Sequence, residues 1–261
     1  MDLKLKNKKA LITGASRGLG YAVARCLLSE GASVTINSRE AVNLEETRNS
    51  LSHQGKVGAI AGDVTIPTSC IALLEEAVER MGGLDLLVTN SGGPKTGRFE
   101  TMSDDDWLQA FQLNFLSHVR LIRAALPYLR QSDAPSILTV TSISAKQPIP
   151  DLVLSNSLRA GVLGLTKTLS QELGSEGIRV NSILPGFTLT DRAMSLLRDR
   201  AQKNNTSMDI EIHKQSEASA LKRIAAPEEF ARVAVFLLSP AASYLTGLML
   251  PVDGGAYTGL I

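Results

Sequence analysis

The sequence predicts an α/β fold: a single Rossmann-type domain in which a doubly wound parallel sheet carries helices on both faces. Three observations predict it. Short apolar runs alternate with longer amphipathic stretches, a glycine-rich turn joins the first run to the first such stretch, and the 261 residues contain no linker or internal repeat. Strands alternating with helices form right-handed βαβ units with parallel pairing. We therefore expect residues 1–261 to form one domain.

The first half of the chain is predicted to hold four strands and three helices. Each strand is a short apolar run, and two of the helices end at glycines, Gly31 and Gly82, as helices commonly do. The predicted strands cover residues 10–12, 33–36, 57–60 and 84–88. The predicted helices cover residues 19–30, 41–51 and 69–81.

The second half continues the alternation. A long helix is predicted over residues 104–129, where Trp107, Phe111 and Phe115 recur at helical spacing. Strands follow at 137–140, 178–183 and 247–250, with helices at 155–173 and 227–238. The last of these helices opens on Pro227, a residue that suits a first turn. The segment from about 191 to 221 is charged and less periodic, so we expect a mobile flap beside the site rather than a second domain.

The composition narrows the function classes. A net charge of +1 argues against a nucleic-acid surface, and no run of about 18 apolar residues suggests a membrane span. The charged first residues lack the apolar core of a secretory signal, and Cys26 and Cys70 form no close pair, so we expect free thiols in the cytoplasm. His53, His118 and His213 are scattered without ligand spacing, and we therefore predict no metal site.

The strongest functional signal is the stretch TGASRGLG at residues 13–20, between the first strand and the first helix. Its glycines allow a tight turn and a close approach of a pyrophosphate, while the helix N-terminus offers unpaired N–H groups and a positive dipole end. A glycine triplet alone would indicate only a tight turn, but the strand–turn–helix context is the one that nucleotide binding requires. The predicted cofactor contacts here are Gly14, Ser16, Arg17, Gly18, Leu19 and Gly20.

The end of the second strand indicates which dinucleotide binds. An NAD site normally places an acid there for the ribose 2′-hydroxyl. This chain has Asn37, Ser38 and Arg39 before Glu40, and Arg17 lies in the glycine turn. Two guanidinium groups beside a hydroxyl suit a 2′-phosphate, so we predict NADP, with NAD the less favoured cofactor. The alternative is that both arginines are solvated and that Glu40 pairs with one of them.

The chain resembles the short-chain dehydrogenase/reductase family, and most of all its 3-oxoacyl-carrier-protein reductase-like members. The resemblance runs from about residue 8 to residue 255 and includes the glycine turn, Asn-Ser-Gly at 90–92, the stretch 185–190 and Val-Asp-Gly-Gly at 252–255. It implies that Asp63 contacts the adenine, that Asn90 lies along the cofactor, and that Thr188 and Thr190 lie near the nicotinamide and phosphates. The further cofactor contacts that it implies are Val64, Gly92, Pro185 and Gly186. It also implies a homo-oligomer, a dimer or tetramer, formed through the helices that flank the fifth strand.

The catalytic motif departs from that family. Members carry Tyr-x-x-x-Lys about thirteen residues beyond the serine that corresponds to Ser142. Here the same positions hold Ser155 and Arg159, and no tyrosine occurs between Tyr128 and Tyr244. Carbonyl reduction needs a proton at the developing alkoxide, and a serine hydroxyl is a much weaker acid than a phenol. Arg159 keeps the positive charge but cannot shuttle protons.

Several roles are open for the residues around this motif. Ser142 is expected to hydrogen-bond the substrate, and Ser155 either passes a proton, directly or through water, or simply caps its helix. Arg159 holds the ribose or an anionic substrate, or is a solvated helix cation. By the resemblance, Asn114 anchors a relay water. Lys146, close after Ser142, is either a surface lysine or a substitute acid.

Three functions are consistent with this pattern. The leading hypothesis is an NADP(H)-dependent oxidoreductase that acts on the carbonyl or hydroxyl of a small molecule, similar to the 3-oxoacyl-thioester reductases, with a degenerate catalytic motif. The second is a dinucleotide-binding sensor or assembly protein without turnover. The third is a catalyst of another reaction, which grips an anionic substrate through Arg159.

Overall fold

The computed structural model describes residues 1–260 and contains one sheet of seven parallel strands. In chain order, β1 to β7 are Lys9–Ile12, Ser33–Ser38, Val57–Ala61, Leu86–Thr89, Ser136–Val140, Arg179–Pro185 and Met249–Val252. Their order across the sheet is β3-β2-β1-β4-β5-β6-β7. The winding direction therefore reverses between β1 and β4, and ligands of such sheets bind in the crevice at the carboxyl ends of the strands at that point.

Nine helices accompany the sheet in the described part of the chain. In chain order, α1 to α9 are Gly18–Ser29, Ala41–Leu51, Pro67–Met81, Asp104–Phe111, Ser117–Leu129, Val153–Glu172, Asp191–Asn204, Met208–Glu217 and Pro227–Leu238. One core packs α1, α2 and α9 against one face, and a second packs α3, α5 and the end of α6 against the other. The predicted doubly wound fold is confirmed. Within residues 1–260, no helix combines the length and apolar character needed to cross a membrane.

The long helix predicted over residues 104–129 is interrupted. Ser103 opens α4 with a capping box in which its hydroxyl accepts from the Asp106 amide while the Asp106 carboxylate accepts from the Ser103 amide. After α4 the chain makes a π-helical turn over Gln112–Leu116 before α5 begins. Such turns are frequent at functional sites, and this one carries the fully buried Asn114.

The segment predicted as a flap contains two helices, α7 and α8. Helix α7 buries one narrow stripe, Ala193, Leu197 and Ala201, at four-residue spacing. The buried Glu211 of α8 accepts hydrogen bonds from Asn204 at the end of α7, from Thr206 between the helices and from Lys214, and these bonds lower the pKa of its carboxyl to about 2. Lys203 of α7 forms an ion pair with the Asp151 carboxylate at 3.3 Å, which ties this segment to the residues before α6.

Candidate active site

The glycine turn at the start of α1 is shaped for a close backbone approach. Gly14 and Gly18 adopt left-handed φ angles of +58° and +61°. A Cβ atom on Gly20 would lie 2.5 Å from the Gly14 carbonyl oxygen, and the side-chain Nδ2 of Asn90 donates to that same oxygen at 2.9 Å. The turn is therefore folded against both α1 and the end of β4. No side chain caps the first backbone N–H groups of α1, which leaves them for an anion.

A groove of about 920 Å³ opens at this turn, along the carboxyl ends of β1, β2 and β4. Its position is the reversal point of the sheet, where the sequence predicted a dinucleotide. Eleven predicted contact residues line it: Gly14, Ser16, Arg17, Gly18, Leu19, Ser38, Arg39, Val64, Asn90, Gly92 and Thr190.

Three cations line the groove. Arg17 and Arg39 were predicted, whereas Arg192 was missed. The sequence could have indicated Arg192, because it lies two residues after the predicted cofactor contact Thr190, whose side chain caps the start of α7. Glu40 accepts a hydrogen bond from Asn43 at 2.5 Å, and within residues 1–260 neither Arg17 nor Arg39 pairs with an acid. The structure thus contradicts the alternative in which Glu40 forms an ion pair with one of these arginines.

Five other predicted cofactor residues do not line this groove. Gly20 is buried beneath the turn, and Asp63 folds its carboxylate back onto Thr65, whose amide and hydroxyl both donate to it. Thr188 is buried, and Gly186 lies against the backbone of the residues after β7. Pro185, the last residue of β6, is partly buried beside Gly186. Their predicted cofactor contacts remain predictions.

The predicted catalytic serines are joined by a third serine. The Ser142 hydroxyl follows β5 and accepts from the Ser144 amide at 3.1 Å. The Ser144 hydroxyl, itself buried, lies 3.0 Å from the hydroxyl of Ser155. Ser155 is the third residue of α6 rather than its cap, so the capping role considered for it is wrong. Sequence reasoning missed Ser144, although it lies only two positions beyond Ser142.

We expect the Ser144–Ser155 pair to show strong coupling. Ser144→Ala or Ser155→Ala alone leaves one buried hydroxyl without its partner, which costs about 1–3 kcal/mol of unfolding free energy, whereas removing both hydroxyls costs less than the two losses added together. Urea unfolding of the four proteins measures this coupling. Ser157→Ala is the control, since that exposed hydroxyl bonds only within α6. Additive losses would show that the two hydroxyls do not interact.

Arg159 is buried rather than solvated, which corrects the surface-cation alternative. Only 6% of the residue is exposed, and its Nη1 donates to the carbonyl oxygens of Val140 and Thr141 at 3.2 and 3.0 Å. Burial lowers the pKa of the guanidinium to about 10. No carboxylate in residues 1–260 pairs with it. The side chain thus caps the carboxyl end of β5, a placement that argues against gripping an anionic substrate.

Two buried polar side chains face the end of β4. The side-chain Nδ2 of Asn114 donates to the Ser91 hydroxyl at 3.1 Å and to the Gly92 carbonyl oxygen at 2.8 Å. One turn later, Nδ1 of His118 lies 2.7 Å from the Thr89 hydroxyl. Among the described residues, the Asn114 Oδ1 and His118 Nε2 atoms have no hydrogen-bond partner. Burial, and then the charge of Arg159, lower the pKa of His118 to about 3, so its imidazole is neutral.

The parallel sheet, its reversal point and the glycine-lined groove define a dinucleotide-binding oxidoreductase fold. Within residues 1–260 no cluster of metal-ligating side chains accompanies it. The model of the family described as "Enoyl-(Acyl carrier protein) reductase" matches residues 14–257. The chain belongs to the short-chain dehydrogenase/reductase family and is an NAD(P)-dependent oxidoreductase of that type.

Relatives match along their whole lengths. "Uncharacterized oxidoreductase YvrD" of Bacillus subtilis is 33% identical, with all of both chains aligned. The 3-oxoacyl-[acyl-carrier-protein] reductase FabG of Vibrio cholerae is 32% identical over 98% of this chain and 99% of its own. Among solved structures, L-sorbose reductase from Gluconobacter frateurii, complexed with NADPH and L-sorbose, superposes with a TM-score of 0.95 at 32% identity over all of both chains.

Proposed function

We propose that this protein is an NADP(H)-dependent oxidoreductase that interconverts a carbonyl and a hydroxyl group on a small-molecule substrate. The observation that carries the proposal is the groove at the reversal point of the sheet, which is lined by Arg17, Arg39 and Arg192. The acids Glu40, Glu46 and Asp191 also line it, but among the described residues none of them forms an ion pair with these arginines. The similar L-sorbose reductase was solved with NADPH, which supports the same choice of cofactor here.

The residues present fit a dinucleotide. A Cβ on Gly14 or Gly20 would meet the backbone at 2.8 or 2.5 Å, so the turn is kept free of side chains where a pyrophosphate would lie against α1. Ser38, at the end of β2, and the flanking arginines suit a 2′-phosphate, which a guanidinium binds through two hydrogen bonds. When bound, the nicotinamide supplies or accepts the hydride.

Around the reacting carbon, Ser142 is the residue proposed to orient the substrate. It lies at the carboxyl end of β5 and is partly exposed, while its hydroxyl oxygen accepts a hydrogen bond from the Ser144 amide. That bond fixes the rotamer and leaves the hydroxyl proton to be donated to a carbonyl oxygen. The buried guanidinium of Arg159 adds positive charge beneath the site, where it stabilises a developing alkoxide.

Nucleotide preference tests the proposal directly. We expect Arg17→Ala and Arg39→Ala each to weaken NADPH binding about 10- to 100-fold, because a charge-assisted hydrogen bond contributes about 1.5–3 kcal/mol. NADH binding should change little. Fluorescence titration with both reduced nucleotides measures the affinities. Arg48→Ala is the matched control, since that arginine of α2 pairs with Glu45 outside the groove. A wild-type preference for NADH would refute the NADP assignment.

Turnover assays show which class of substrate the protein reduces, and they distinguish an enzyme from a protein that only binds the dinucleotide. NADPH oxidation should be followed with 3-oxoacyl thioesters and with keto sugars, because the FabG and L-sorbose reductase relatives are named for these two chemistries. A protein that binds NADPH tightly but reduces neither class, nor simple ketones, would be a sensor or assembly protein. We also propose that residues 191–221 form the flap over the substrate and that the protein assembles into a homo-oligomer.

A further inference from the structure

The flap contributes a cation to the cofactor groove. Arg192, the second residue of α7, lines the groove together with Gly14 and Gly18 of the glycine turn. It is exposed, and among the described residues no carboxylate forms an ion pair with it. That includes the carboxylate of its neighbour Asp191, which also lines the groove. The charge of this guanidinium is therefore available to an anion in the groove.

The stability of α7 does not account for this arginine. The amino end of a helix carries a positive dipole, which favours anions in the first turn and disfavours cations. Asp191 satisfies that preference, whereas Arg192 opposes it. The helix is also held by few buried contacts, since only Ala193, Leu197 and Ala201 of α7 are buried. An anion in the groove would relieve the unfavourable contact between the guanidinium and the helix dipole.

Contacts with the glycine turn fix where α7 begins. A Cβ atom on Gly18 would lie 3.5 Å from Cγ2 of Thr190, so Thr190 lies beside the first residue of α1. The Thr190 hydroxyl accepts from the Ala193 amide and thereby caps α7 at that point. The first turn of α7, which carries Arg192, therefore starts next to the turn that is shaped for a close backbone approach.

The order of the strands separates Arg192 from the residues assigned to the 2′-phosphate. The glycine turn follows β1. Ser38 and Arg39 lie at the end of β2, on one side of β1, whereas the chain reaches α7 from β6, on the other side. A dinucleotide with its diphosphate on the start of α1 and its 2′-phosphate at β2 leaves the diphosphate as the anion closer to Arg192.

We propose that Arg192 binds the diphosphate of the cofactor from the flap side of the groove, and that the bound cofactor thereby holds α7 in place. This inference rests on the dinucleotide binding proposed above. A guanidinium can bind phosphate oxygens through two parallel hydrogen bonds. Because linkage between binding and conformation is reciprocal, an arginine of the flap that strengthens cofactor binding is itself held by the cofactor.

Comparison of nucleotides with and without each phosphate tests the assignment. NADPH and NADH share the diphosphate, so Arg192→Met should weaken the binding of both by a similar factor, about tenfold or more in fluorescence titrations. Arg17→Ala and Arg39→Ala should weaken NADPH alone. Adenosine 2′-monophosphate, which lacks the diphosphate, should compete equally well in wild type and Arg192→Met. Arg198→Met is the matched control, since that exposed arginine of α7 does not line the groove.

Amide hydrogen exchange measures the effect on the flap. Saturating NADPH should slow exchange in residues 191–204 of wild type and of Arg198→Met about fivefold or more, and in Arg192→Met less than about twofold. Thermal melts of the proteins without nucleotide should coincide, because the Arg192 side chain is exposed and unpaired among the described residues.

The outcomes separate this inference from the proposed function. Affinities for NADPH and NADH within about twofold of wild type in Arg192→Met would overturn it. Weaker binding of NADPH alone would also overturn it, because Arg192 would then belong to the 2′-phosphate. Equal protection of α7 by NADPH in Arg192→Met and wild type would refute the hold on the flap. In all these cases the wild type still binds NADPH. Wild-type protein that binds neither nucleotide would overturn both proposals.

Discussion

Gly20→Ala is expected to abolish dinucleotide binding in the usable concentration range. The new Cβ would lie 2.5 Å from the Gly14 carbonyl oxygen and 2.9 Å from the Ala15 Cα, both backbone atoms that cannot swing away as a side chain can. Overpacking of this kind costs about 1–3 kcal/mol, and the glycine turn must move to relieve it. Because that turn is the proposed phosphate cradle, we expect NADPH affinity to fall about 100-fold or more.

The matched control is Gly164→Ala. Gly164 also lies in a helix, α6, but it is exposed and an added Cβ would meet nothing within 4 Å. There alanine should stabilise the protein by about 1 kcal/mol through its better helix propensity, with NADPH binding unchanged. Titration of both variants with NADPH, beside thermal melts, separates the effects. Unaltered affinity in Gly20→Ala would mean that the cofactor does not lie on this turn.

The sequence was sufficient for the fold and for the position of the glycine turn because both depend on local patterns. Apolar runs of strand length define β1 to β6 closely, and the glycine spacing at residues 13–20 needs only its neighbours to form. It was less informative for α7 and α8. In α7 only a narrow stripe, Ala193, Leu197 and Ala201, is buried, so the apolar periodicity is weak in a mostly charged segment.

The catalytic region depended on contacts between distant segments. Four-residue spacing correctly put Ser155 and Arg159 on one side of α6, and both are buried. Spacing could not show that the carbonyl oxygens of Val140 and Thr141, at the end of β5, accept from Arg159. Nor could it show that the Ser144 and Ser155 hydroxyls form a hydrogen bond. The scattered spacing argued only against His118 as a metal ligand. It could not show that the imidazole contacts Thr89 of β4 and lies near Arg159 of α6, which are far away in sequence.

That buried histidine makes the protein sensitive to mild acid. The folded chain keeps His118 neutral down to a pKa of about 3, because burial first, and the Arg159 charge second, oppose protonation. An unfolded chain protonates the same imidazole below its ordinary value of about 6.5. Between these pH values the unfolded state binds more protons, so stability falls as the pH falls. Above about 6.5 the contribution is fully present.

The expected slope is up to about 1.4 kcal/mol of unfolding free energy per pH unit below pH 6.5. Urea unfolding between pH 7 and pH 5 isolates this histidine, since Glu211 and Glu229, whose hydrogen bonds lower their pKa values to about 2, lose their contribution only in stronger acid. His118→Leu leaves the Thr89 hydroxyl without its partner and should be less stable at pH 7, yet its pH slope should be flatter.

Arg159 provides an independent check on the same argument. In Arg159→Met the second cause of the His118 shift is gone, so the pKa of the folded imidazole rises toward 6.5 and the acid-sensitive range becomes narrower. The exposed His53 supplies the control, and His53→Leu should leave the wild-type slope intact. Equal slopes in wild type and His118→Leu between pH 7 and pH 5 would show that the imidazole is not held neutral. A protonated His118 would then lie beside Arg159 as a second buried cation beneath the proposed reaction site, a costly arrangement without a carboxylate partner.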